Sequence, residues 1–246
     1  MLQQTSVARV MPKYEAFLKA FPTPHALAKA PLGEALRLWS GLGYPRRCRN
    51  LQATAIVLHE QFDDHMPASI DELLKLPGIG QYTARAILAF AHRIDVAVVD
   101  VNVSRVLSRL EGVPMKARAL QNFADELVPQ GLGWEWNQVM MDFGARHCTV
   151  RSPLCDSCPV RTQCHYRGAG DDPAQLSAGV SKPQPRFEGS DRQARGRALR
   201  AVADGSLLVT DVIEAMRVDE GRAERLIASL IDEGLLHDTG STITLP

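Results

Sequence analysis

The chain reads as a succession of amphipathic helical stretches, broken at short intervals by glycine and proline. Val7, Val10, Met11, Tyr14, Phe17, Leu18 and Phe21 recur at helical spacing, with a break expected at Pro12. Residues 24–40 give two short helices, PHALAKA and GEALRLWS. A longer helix starts at Pro45, a residue suited to the first helical position, and runs to about Phe62 with Leu51, Ala55, Leu58 and Phe62 inward. A helical run, IDELLKL, enters the turn Leu76-Pro77-Gly78-Ile79-Gly80, and Ala84, Ile87, Leu88 and Ala91 then share one face. The apolar segment IDVAVVDVNV passes Asp100 into a helix that turns Val103, Val106, Leu107 and Leu110 inward. Two more helices are expected over about 116–128 (Leu120, Phe123, Leu127) and 134–146 (Trp136, Val139, Met140, Phe143). Near the end come helical runs over 191–203, 207–216 and 219–233, then a hairpin turning at Asp238 to Gly240. Period-2 alternation is rare, so the fold class is all-α.

Length and composition sharpen the outline. A chain of 246 residues supports one large domain or two smaller ones. No apolar run has membrane-spanning length and the N-terminus lacks a signal-peptide pattern, which predicts a cytoplasmic protein with no membrane partner; a monomer is expected. The formal net charge is zero. Residues 1–186 carry 21 Lys/Arg against 17 Asp/Glu, and residues 187–246 carry 7 against 11. Phosphate binding must therefore come from local patches and backbone donors. Residues 166–190 are rich in Gly, Pro, Ser and Ala and read as a linker. The expected organisation is a helical core over 1–147, a cysteine loop over 148–165, the linker, and a tail over 191–246 whose three helices and hairpin fit a winged-helix-like module.

Three stretches carry candidate chemistry. Gly78 and Gly80 let the LPGIG turn approach another surface, and amides opening onto a helix start bind anions without a charged side chain. The alternative is an ordinary glycine-capped connection. Gly-Leu-Gly-Tyr44-Pro-Arg46-Arg47 places arginines beside an aromatic at a turn, a set able to hold phosphates and wedge between bases, or simply a solvated basic face. Asp100 or Asn102 suits the N-cap of the helix that follows. Four of the five cysteines, Cys148, Cys155, Cys158 and Cys164, lie within seventeen residues with spacing C-x6-C-x2-C-x5-C. In a reducing compartment this points to metal rather than disulfides. The set can ligate zinc or a [4Fe–4S] cluster, and a single C-x2-C pair favours iron–sulfur. Cys48 stands apart as a packed thiol.

Taken together, LPGIGQYTARA, VVDVNVSRVL and the cysteine loop resemble the endonuclease III-like helix–hairpin–helix DNA glycosylases. MLQQT, GLGYPRR and Tyr82 resemble the adenine-excising, MutY-type branch. The likeness spans about residues 1–167. It implies base-excision repair: hydrolysis of the N-glycosidic bond of adenine mispaired with 8-oxoguanine or guanine in double-stranded DNA. It implies Asp100 as the carboxylate beside the sugar carbon, with Asn102 and Tyr82 helping to form the site. It implies Gln3, Gln4, Thr5, Tyr44, Arg46, Arg47, Gly78, Gly80 and Thr83 as DNA contacts, and the four cysteines as ligands of a [4Fe–4S] cluster. Lyase relatives carry a lysine where this chain has Tyr82, so the activity implied is monofunctional. The general-acid glutamate of the resemblance falls two residues before the methionine of MLQQT, ahead of Met1, which implies impaired excision by the chain as written. The tail is too short and too helical for the β-rich lesion-reading domain of many relatives. A second class of function stays open, a DNA-binding iron–sulfur protein that recognises mispairs without cutting.

Overall fold

A computed structural model describes residues 1–2, 5–179 and 186–246, so the expected contacts at Gln3 and Gln4 lie outside the described residues. The chain is mainly helical, and its contacts divide it into two compact units. One gathers the described residues of Met1–Pro67, Leu76–Gly78 and Gln184–Pro246, the other those of Ala68–Lys75 and Ile79–Pro183. Among the described residues no helix is long and apolar enough to cross a membrane.

The first unit contains α1 (Val7–Ala20), α2 (Pro24–Lys29), α3 (Leu32–Trp39) and α4 (Pro45–Gln61). α1 runs unbroken through Pro12. Pro12 lacks the amide that would bond the Ala8 carbonyl four residues back, so the helix continues with one hydrogen bond fewer. Of its apolar residues Val10 and Phe17 are buried, whereas Val7, Met11, Tyr14 and Leu18 form an exposed stripe. α4 starts at Pro45 as expected, behind Tyr44 in the left-handed region (φ 50°).

The C-terminal residues belong to this same unit. Leu27, Leu36, Trp39 and Leu42 share one core with Ala198, Val212, Met216, Ile227, Leu230, Leu235 and Ile243. The tail, whose three helices and hairpin fit a winged-helix-like module, therefore completes the core of the first helices. Gly33 shows how close the packing is: its amide donates to Pro246 O at 2.8 Å, and a Cβ there would sit 2.6 Å from that oxygen. The tail runs α10 (Asp191–Ala201), β1 (Leu207–Leu208), α11 (Val209–Met216), α12 (Glu220–Asp232), β2 (His237–Asp238) and β3 (Thr242–Thr244). The strands form an antiparallel sheet of order β1-β3-β2. The hairpin falls where the sequence placed it, and β1 was hidden by its two-residue length.

The tail is tied down by Glu233. Its carboxylate takes Arg46 at 2.5 and 2.6 Å and Arg195 at 2.7 Å, and its carbonyl accepts from Arg49. The hydrogen bond from Arg46, with help from Arg195 and Ser229 against the opposing effect of burial, holds the Glu233 carboxyl down to about 2, from an ordinary 4.5. A carboxyl depressed by folding stabilises the fold above its unfolded pKa, and that contribution is lost as pH falls through its folded pKa. Glu233→Gln is therefore expected to flatten the stability profile between pH 4.5 and about 2. Arg46 is largely solvent-exposed and screened, so the lost difference should be about 1–2 kcal/mol. Urea midpoints of both proteins across that window check it; parallel profiles would refute the pairing.

The second unit holds α5 (Ile70–Leu73), α6 (Gln81–Ala86), α7 (Val101–Glu111), α8 (Ala117–Glu126) and α9 (Gly133–Arg146). α6 continues into a π turn over Ile87–Ala91. The wider turn advances the buried face by one residue: Leu88 and Ala89 are buried, and Ala91, expected inward, is exposed. On α9 the buried residues are Gly133, Asn137 and Gly144, and Val139, expected inward, is 65% exposed.

Candidate active site

The site in the second unit is built where an extended segment meets the N-terminus of α7. Residues 95–99 pair with no strand, so side chains serve their backbone. Asn137 accepts from Val98 N–H at 2.7 Å and donates to Val96 O at 2.8 Å. Asp125 accepts from Ala97 N–H at 2.9 Å and pairs with Arg85 at 2.7 Å. Gln121 donates to Ala97 O at 3.1 Å. Sequence periodicity gives no hint of Asn137, which sits fully buried on the face of a helix expected to be apolar.

This scaffold delivers Asp100 in an extended conformation as the N-cap of α7. Its Oδ1 accepts from Asn102 N–H at 2.8 Å and Val103 N–H at 2.7 Å. Its Oδ2 accepts from Asn102 Nδ2 at 2.9 Å. The cap and the candidate catalytic carboxylate are thus one residue: capping fixes the orientation, and the positive end of the helix favours the negative charge. Asn102 Oδ1 accepts in turn from Arg105 at 2.9 Å, and Arg105 also reaches Gly144 O at 2.5 Å and Cys148 O at 2.7 Å. Gly144 permits this approach, because a Cβ there would lie 2.6 Å from Asn102 Cβ. Tyr82 is 43% exposed, and burial and then the Asp100 charge push its hydroxyl pKa up.

Beyond Arg105 the polar side of α7 is buried against the cysteine loop. Arg109, 2% exposed, holds Asp172 with two bonds of 3.1 and 2.7 Å. It also donates to Thr149 O at 2.7 Å, Val150 O at 3.2 Å and Cys148 Sγ at 3.4 Å. Burial opposes its charge, but Asp172 and Cys148 outweigh that and its pKa is raised. Asp172 lies in the stretch expected as a linker, yet part of that stretch is packed. Pro173, Ala174 and Ser177 are buried, Ser177 Oγ accepts from Met115 N–H at 2.9 Å, and Ser104 donates to Ala178 O. Composition marked the region as loose; the pairing of one aspartate with a distant arginine is invisible to composition.

Cys148, Cys155, Cys158 and Cys164 line one cavity of about 320 Å³, walled by Val106, Leu110, Met140, Phe143 and Tyr166. Burial pushes the Cys148 thiol up, with Arg109 and Arg105 acting against it. The guanidiniums thereby favour the thiolate that metal ligation needs. Cys48 is fully buried and its thiol is pushed up to about 12 by burial, which fits the packed role expected.

In the first unit, Gly78 has φ 76° and its missing side chain makes room for Asn50, whose Cβ would be 2.7 Å from a Cβ there. Thr54 donates to Pro77 O at 2.9 Å, fixing the turn on α4. Gly80, which belongs to the second unit, has φ −99°, so its backbone needs no glycine. Tyr44 is half-buried, with Arg47 and Arg192 over its ring at 5.4 and 5.9 Å and Arg192 donating to its hydroxyl at 3.0 Å. Arg46, expected on phosphate, is engaged by Glu233. Thr5 donates to Leu42 O at 3.1 Å. A groove beside Tyr44 is lined by Arg9, Lys13, Arg37, Arg192, Arg195 and Arg200 against Asp191 and Glu233. The acidic total of the tail conceals this basic face.

These features define a helix–hairpin–helix protein with a capped carboxylate and a four-cysteine loop. The chain belongs to the HhH-GPD superfamily of base excision DNA repair proteins, whose family model matches residues 1–130. It is 40% identical over 248 residues to an adenine DNA glycosylase of Mycolicibacterium smegmatis, covering 97% of this chain and 82% of that one. Similar solved structures include a thermostable thymine-DNA glycosylase (TM-score 0.63, 28% identity, 68% of this chain and 80% of that one). A trapped endonuclease III–DNA covalent intermediate gives a TM-score of 0.60 at 28% identity, again over 68% of this chain and 80% of that one.

Proposed function

We propose that this chain hydrolyses the N-glycosidic bond of adenine mispaired with 8-oxoguanine or guanine in duplex DNA. The observation that carries the reading is the Asp100 carboxylate, fixed by three hydrogen bonds and neighboured by Tyr82. Cleaving the bond between the sugar carbon and the base leaves an oxocarbenium-like sugar, which a preorganised anion stabilises. Water then adds to that carbon, and the base leaves with a proton. Asn102 and Arg105 hold Asp100 in place. Tyr82 offers no amine, so no Schiff base forms and the strand stays intact. The target base must leave the stack; Tyr44 is the wedge, and Arg47, Thr5, Thr83, Gln3, Gln4 and the Gly78–Gly80 amides are the backbone and lesion contacts. Arg46 joins them if DNA displaces Glu233. Adenine as the excised base rests on the names of the relatives. The test is single-turnover release from A:8-oxoguanine, A:G, A:T and T:G duplexes. Release of adenine from the first two, without strand cleavage before alkali, is the expected result; release of thymine alone would overturn it.

The cysteine loop fits a [4Fe–4S] cluster. All four thiols line one cavity, and among the described residues no three of them lie within 4.8 Å of one another. A single tetrahedral zinc at about 2.3 Å from each sulfur would draw them to roughly 3.8 Å. The cluster would supply folding free energy by closing the loop. Anaerobically purified protein is expected to be brown with about four irons per chain, and Cys158→Ser to lower both iron content and melting temperature. One zinc and no iron, or unchanged values in the variant, would refute the assignment.

A further inference from the structure

Three side chains of the first unit have no part in base excision, and they converge. His25 is the second residue of α2, His59 lies in the last turn of α4, and Asp64 follows in the loop. Their Nδ1 atoms bring His25 and His59 to 3.1 Å, with the rings edge to face at 4.3 Å between centroids. The same His59 nitrogen stands 3.3 Å from Asp64 Oδ1 and 3.4 Å from Oδ2. One ligand atom from each of the three lies within 4.8 Å of the other two. Asp63 and Asp64, at φ 48° and 61°, turn the chain back, and Asp64 N–H donates to Leu58 O at 3.0 Å.

Hydrogen bonding alone does not satisfy this trio. A neutral imidazole nitrogen is a donor or an acceptor, never both. If His59 Nδ1 carries the proton, His25 and Asp64 compete for it. If it carries the lone pair, that lone pair faces a carboxylate. Asp64 Oδ1 is buried with no hydrogen-bond partner. A cation accepts all three lone pairs at once. With ligand bonds of about 2.0–2.1 Å, a tetrahedral zinc site has edges of roughly 3.3 Å, which matches the two nitrogen and oxygen spacings. Two imidazoles and one carboxylate suit zinc and its transition-metal neighbours; magnesium and calcium prefer oxygen throughout.

We propose that His25, His59 and Asp64 form a divalent transition-metal site, filled by zinc, that pins the start of α2 to the end of α4. Both histidine and aspartate side chains keep partial solvent access, 39% for His59 and 34% for Asp64, so water completes the coordination. The site is independent of the cysteine loop. His65, whose Nδ1 lies 2.6 Å from Asp63 O, is the neighbouring control.

The experiment uses cluster-loaded protein equilibrated with micromolar zinc chloride, with bound zinc and iron measured together. Wild type is expected to take up a single zinc at unchanged iron content and to melt higher with zinc than without it. His59→Ala and Asp64→Asn should each weaken uptake about tenfold or more, and His65→Ala should not. Asp64→Asn preserves volume at a partly exposed position, so its reading stands even where a histidine variant folds poorly. Wild type that takes up no zinc, or variants that match it, would overturn the site. So would zinc uptake accompanied by iron loss, which places the metal on the cysteines.

Discussion

Asp100→Asn is expected to lower single-turnover adenine release by about 10²-fold or more while the protein stays folded. The asparagine retains an oxygen for the Asn102 and Val103 amides, so the cap of α7 survives. Its new amide nitrogen faces Asn102 Nδ2, whose Oδ1 is committed to Arg105. One hydrogen bond is lost, for about 1 kcal/mol. A hundredfold rate loss corresponds to about 2.7 kcal/mol at the transition state, so the two effects separate in one variant. Asp100→Ala removes the cap as well and should cost about 1 kcal/mol in stability with a similar rate loss. A melting curve beside the release assay distinguishes the roles. Full activity with reduced stability would make Asp100 a helix cap and nothing more.

The features legible in the sequence were the local ones. Cysteine spacing, Pro45 at a helix start, the hairpin around Asp238 and the cap at Asp100 each depend on residues a few positions apart. The unseen features are pairings across the fold. Arg105 and Arg109 sit at positions of α7 that periodicity assigns to solvent, yet α7 is buried from Val103 to Arg109. Their partners, Cys148 O, Asp172 and Gly144 O, lie 39 to 63 residues away. A buried charge must be paired, but nothing local says that a given arginine is buried. The π turn after α6 failed differently: a single added residue per turn moves Ala91 outward without changing composition. The engagement of Arg46 by Glu233 joins residues 187 apart, a pairing of which the GLGYPRR motif by itself gives no sign.

The largest effect expected concerns the proton that adenine must take. Both oxygens of Asp100 accept hydrogen bonds from Asn102 and Val103, which suits an anion facing the sugar and leaves no proton to give the base. In a two-carboxylate mechanism one group cannot readily serve both ends of the bond. The resemblance to the adenine-excising glycosylases puts the acid two residues ahead of Met1. A chain extended so that a glutamate stands there is expected to release adenine about 10²–10⁴-fold faster than the 246-residue chain. Its affinity for the A:8-oxoguanine duplex should change little, because Tyr44, Arg47 and the hairpin amides are the same in both. Replacing the added glutamate by glutamine should return the rate to that of the unextended chain, and adding Asp100→Asn to the extended chain should abolish the gain. Equal rates with and without the glutamate would place the acid elsewhere.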